Sequence, residues 1–168
     1  MSASHPSGRH AGIAYLEQLR RAYGSLTDPV RSFALDSANR EPYRAVTEDL
    51  ARLGQVVDDT DVNCDVCFTL VLRSTSVLIV KLSMVGPYAV VLSFGQDGLA
   101  PQAELVGDGD DSYPADLATA VVSVLEQHGF VMVPRAHLES CVPLAVRGRA
   151  RGVTLYSALF EPEAEVPW

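Results

Sequence analysis

At 168 residues, 48% of them hydrophobic and 20% charged, the chain has the size and composition of one globular domain that builds its core without metal or disulfide staples. A formal charge of −8 argues against nucleic acid as a ligand, because phosphate binding depends on clustered Lys and Arg; such a surface either simply aids solubility or has a basic protein partner as its natural complement. The apolar run from Val66 to Phe94 is broken by Arg73, Lys81 and Val85-Gly86-Pro87, so it lacks the ~20 uninterrupted apolar residues of a membrane span.

Residues 1–12 contain no hydrophobic segment or cleavage pattern and are expected to form a flexible, solvated tail ahead of a single domain at 13–168. With no export signal and an odd count of three cysteines, the expected location is the cytoplasm. Ile13, Leu16, Leu19 and Tyr23 recur at three- and four-residue steps, which predicts an amphipathic helix ended by Gly24. After a turn at Thr27-Asp28-Pro29 and a looser stretch with Phe33 and Leu35, Tyr43, Val46, Leu50 and Leu53 predict a second helix over 42–53.

The period then changes to two. Strands are expected over 66–73, 77–84 and 88–94, with a weaker one at 103–106, and such short connections predict an antiparallel meander. Pro114 and Asp116 open the strongest helix, over 114–128, with Leu117, Val121, Val124 and Leu125 on its buried face. A short strand at 130–133 follows, then loop-like sequence, then a short helix or strand at 153–160. The expected fold is α+β: two N-terminal helices, a meander of three to five strands, and one long helix packed on the sheet.

Only Asn63-Cys64-Asp65-Val66-Cys67 resembles a chemical motif. A structural zinc needs four ligands, and Cys64, Cys67, His137 and Cys141 supply the right number, which would suit a small metal-dependent enzyme. Against this, Cys67 falls in phase with Thr69 and Val71 on a strand, and a redox pair belongs at a helix N-terminus. The favoured reading is two small residues at a strand entrance, with no cofactor and no catalytic residues. The sequence carries no Gly-x-Ser-x-Gly elbow, His-Glu-x-x-His or P-loop. Asp108-Gly109-Asp110-Asp111 fails as a calcium loop, because the required glycine and glutamate positions hold Tyr113 and Thr119.

Charge arrangement is more informative. Between Gly54 and Val66 lie Asp58, Asp59, Asp61 and Asp65 with no base, and from Asp97 to Asp116 six acids, including Asp108, Asp110 and Asp111, again lie without one. Gathered at one end of the sheet, these segments would steer a cationic partner. At the C-terminus, Tyr156, Phe160 and Trp168 beside further carboxylates are candidate interface anchors.

Gly129, Phe130, Pro134, Leu138, Pro143, Leu155, Tyr156, Leu159, Phe160, Pro167 and Trp168, in the C-terminal third, resemble the ending of small bacterial proteins similar to immunity proteins of toxin systems. The resemblance implies an α+β binding protein that neutralises a cognate toxin, a basic toxin domain on the charge argument. An acidic secretion-chaperone-like protein is the second binding expectation, sharing size, acidity and the order of elements.

Overall fold

The computed structural model describes residues 8–37, 43–94, 103–107, 115–146 and 152–168. Helix α1 spans Gly8–Tyr23, starting within the stretch expected to be a tail, so the first helix is longer than its apolar periodicity indicated. It ends at Gly24, whose φ of 72° is a left-handed conformation that glycine adopts without steric cost. The looser stretch contains a short helix, α2 (Phe33–Ser37), and the second expected helix is α3 (Tyr43–Leu50).

Strands β1 (Gln55–Asp58), β2 (Cys67–Arg73), β3 (Val77–Ser83), β4 (Tyr88–Ser93) and β5 (Glu104–Leu105) pair in that order, each antiparallel to the next. The predicted meander is β2 to β5. β1 is an addition, in sequence read as an acidic connection. Helix α4 (Ala115–Gln127) then carries the chain back along the sheet, so β6 (Val131–Met132) enters parallel to β4 and makes the sheet mixed. Gly129, at φ 80°, turns the chain between them.

The loop-like sequence after Val133 also has structure. Helix α5 (Arg135–Leu138) leads into β7 (Cys141–Val142), which pairs antiparallel with β8 (Val153–Thr154), and the chain continues directly into α6 (Leu155–Leu159). Thr154 caps that helix by accepting a hydrogen bond from the Ser157 N–H at 3.2 Å.

These elements form an α+β fold in which both faces of the sheet are covered. On one face, Phe68, Leu70, Leu72, Val80, Leu82 and Val91 pack against Val46 and Leu50 of α3 and Val121 and Leu125 of α4. On the other, Cys67, Tyr88, Val90 and Leu92 meet Tyr15, Leu19 and Tyr23 of α1 with Leu155, Tyr156, Leu159 and Phe160. The two N-terminal helices thus lie on opposite faces. β4 is buried throughout because the C-terminal segment covers the second face. No helix among the described residues is long and apolar enough to cross a membrane.

Candidate functional site

The β1–β2 connection, residues 59–66, is shaped by its own acids. The Asp58 carboxylate accepts the Thr60 N–H at 3.0 Å, and the Asp61 carboxylate accepts the Asn63 N–H at 3.0 Å. The latter bond holds the Asp61 carboxyl below its usual pKa, so the charge that makes the loop acidic also fixes its turn. Asp59 donates its N–H to the Thr69 carbonyl at 2.8 Å, and Thr60 Oγ1 accepts the Thr69 N–H at 3.0 Å. Asp58, Asp59 and Asp61 are all exposed.

Asp65 differs. It is half-buried, and loss of solvent, together with nearby Glu161, pushes its carboxyl up to about 6. It is therefore part of the seam between the loop and the C-terminal segment and not a free rim charge.

That seam is built around Lys81, which is 6% exposed. Its Nζ donates to Glu161 Oε1 at 3.0 Å and to Thr69 Oγ1 at 3.1 Å, while the Tyr156 hydroxyl donates to the other Glu161 oxygen. Burial, then the negative charge of Glu161, raises the Tyr156 pKa and keeps the phenol protonated as donor. Backbone bonds complete the closure: Val66 N–H to the Phe160 carbonyl at 2.9 Å and Ser83 Oγ to the Leu159 carbonyl at 2.6 Å. Beside it, Arg31 donates to the Cys64 carbonyl at 3.0 Å and to Glu163 at 3.2 Å. Arg31 also lines a cleft of about 450 Å³ with Tyr23, Asp28, Leu144 and Pro162.

Tyr156 and Phe160, expected as interface anchors, are each 0% exposed and belong to the core. Their role is packing, because α6 directs both rings under the sheet. Trp168 is partly buried: its Nε1 donates to Glu139 at 2.8 Å, Arg135 lies 5.6 Å over its ring, and its edge meets Tyr156. It pins the chain end to α5. Asp108, Asp110 and Asp111 lie outside the described residues.

The four possible metal ligands are not brought together. Cys64 is exposed in a turn, and Asp61 raises its thiol pKa; Cys67 is sealed in the core, where burial pushes its thiol up to about 12. Cys141 is exposed on β7, while His137 is hydrogen-bonded to Tyr15 at 3.2 Å. Among the described residues no three His, Cys, Asp or Glu side chains form a metal-binding group.

No family model, curated protein or solved structure matches the chain.

Sequence reasoning missed the Lys81–Glu161 pair. The lone lysine was the available signal, a strongly hydrated cation placed at mid-strand between apolar neighbours.

Proposed function

We propose that this chain is a non-catalytic, cytoplasmic binding protein of the immunity type, which neutralises a basic toxin domain by presenting it with the acidic edge formed by β1 and the β1–β2 connection. The observation that carries this reading is that Asp58, Asp59 and Asp61 are exposed together on a segment whose turns are fixed by its own hydrogen bonds. A preorganised negative edge captures a cationic partner with little ordering cost, raising the association rate more than it slows dissociation. The resemblance of the C-terminal third to immunity-type proteins supports the same reading.

The test is isothermal titration of the purified protein with the polypeptide encoded beside its gene. A saturable complex that weakens as salt rises supports the reading. Equal affinity of wild type and Asp58→Asn/Asp59→Asn/Asp61→Asn overturns the acidic-edge mode.

A further inference from the structure

The sheet ends at β1, and both its backbone and its side chains are open there. The Asp59 N–H bonds to the Thr69 carbonyl at 2.8 Å, so in the register that pairs Val57 with Val71, the Val57 backbone groups face β2. Alternation then turns the N–H and C=O of Val56 and Asp58 outward, where they meet no partner among the described residues. Next to this edge, Val57, Val71 and Ile79 form a cross-strand row on the face shared with Lys81, with Val77 adjoining it. Val57 is 42% and Val77 44% exposed, and Val71 and Ile79 are half-buried. The C-terminal segment covers the same face farther along, where Glu161 meets Lys81 and the Pro167 carbonyl accepts the Ala103 N–H at 3.1 Å.

We infer that this edge takes an extended strand from the partner, antiparallel or parallel to β1, with apolar side chains over Val57 and Val71 and Lys or Arg opposite Asp58. Backbone bonds to Val56 and Asp58 hold the added strand, the valine row selects alternate apolar residues, and the acids select the charge of the others. The inference rests on the proposed function for the basic character of the partner. Charge separates this occupant from a second copy of the chain. A second copy would bring another chain of net charge −8 against the same exposed Asp58 and Asp59.

The experiment titrates isotopically labelled protein with a short synthetic peptide of alternating Val and Lys, following amide shifts and hydrogen exchange. Controls are the Val-Glu peptide and a Val-Lys peptide N-methylated at the positions that would donate to the edge. The expected result is slowed exchange at Val56 and Asp58 and shifts at Val57, Val71 and Ile79. Both control peptides are expected to bind about tenfold or more weakly. Val56→Pro removes an outward donor from an edge strand, together with a side chain packed against the core under α3 and α4, and is expected to abolish protection by the peptide; the N-methylated peptide makes the same test on the unaltered fold.

Shifts confined to the Arg31 cleft, no binding at millimolar peptide, or equal binding of the N-methylated peptide would overturn strand addition. Concentration-dependent protection of Val56 and Asp58 without peptide would replace the partner by a second copy. A neighbour-encoded protein that binds Val56→Pro as wild type but loses Asp58→Asn/Asp59→Asn/Asp61→Asn would sink this inference and leave the proposed function standing. Peptide binding with no neighbour-encoded partner would do the reverse.

Discussion

The face of the sheet beneath α3 and α4 is lined by Leu70, Leu72, Val80, Leu82 and Val91, whereas the opposite face buries Thr69, Lys81 and Ser83 among its apolar residues. The first is held mainly by contact area, at roughly 1.5–3 kcal/mol per large side chain taken out of water, with polar bonds only at its margin, where the Tyr43 hydroxyl donates to the Ser83 carbonyl at 2.7 Å and His128 meets Asp49 at 2.7 Å. The second is held by apolar contact plus a few directional bonds, from Lys81 to Glu161 and from Ser83 to the Leu159 carbonyl. The difference teaches where each face is vulnerable. Truncation on the first leaves a cavity, while truncation on the second leaves an uncompensated charge. It also explains why the second face stays open near β1: the C-terminal segment is fixed at Lys81 and does not cover Val57.

The largest expected effect breaks the polar face. Lys81→Met strands Glu161 and Tyr156 in the seam and is expected to cost about 3–5 kcal/mol in urea unfolding. Lys81→Met/Glu161→Gln removes both charges and should recover much of that loss, so similar losses for the two variants would mean that Lys81 acts by packing alone. On the apolar face, Leu125→Ala should cost about 2–5 kcal/mol, with no rescuing charge change available.

Asp65 sharpens the comparison through pH. Its folded pKa, about 6, lies above the unfolded carboxylate value, so the folded state holds this proton more tightly. The contribution is therefore stabilising at low pH and is lost as pH rises from about 4 through about 6. Asp65→Asn should raise the free energy of urea unfolding at pH 7 relative to wild type, by about 1 kcal/mol after allowing for solvent screening, and the gap should close at pH 4. Asp61 works in the opposite sense. Its pKa is lowered, so its contribution is present above the unfolded value and fades as pH falls.

The meander was legible because β2 and β3 each alternate over seven residues, long enough for the period to register, and β4 is a six-residue apolar run set off by the turn at Gly86 and Pro87. Helix α4 was legible from its apolar face and its end at Gly129. By contrast, β1 has four residues with an acid at its end, and its pairing with β2 is written in no local pattern. The parallel entry of β6 depends on the path of α4 across the sheet, which periodicity does not encode. The acids looked alike in sequence, yet Asp61 is exposed and Asp65 half-buried, because Val66 bonds to Phe160 and draws the end of the loop inward. Lys81 and Glu161 are 80 residues apart, so their pairing had no sequence signature. Tyr156 and Phe160 were misplaced for the same reason: a terminal segment rich in acids and prolines reads as surface until tertiary closure buries its aromatic residues.

The smallest expected effect on stability belongs to the exposed edge. Asp58→Asn/Asp59→Asn/Asp61→Asn should leave the urea midpoint close to that of wild type, because Asn retains the carbonyl acceptors that shape the turns. Its effect should fall on binding. The direct measurement is stopped-flow association of the neighbour-encoded basic domain with wild type and with this triple variant across a range of salt. The account predicts slower association for the variant at low salt and a flatter salt dependence, with dissociation changed less. Identical association rates and salt slopes for the two proteins would contradict it.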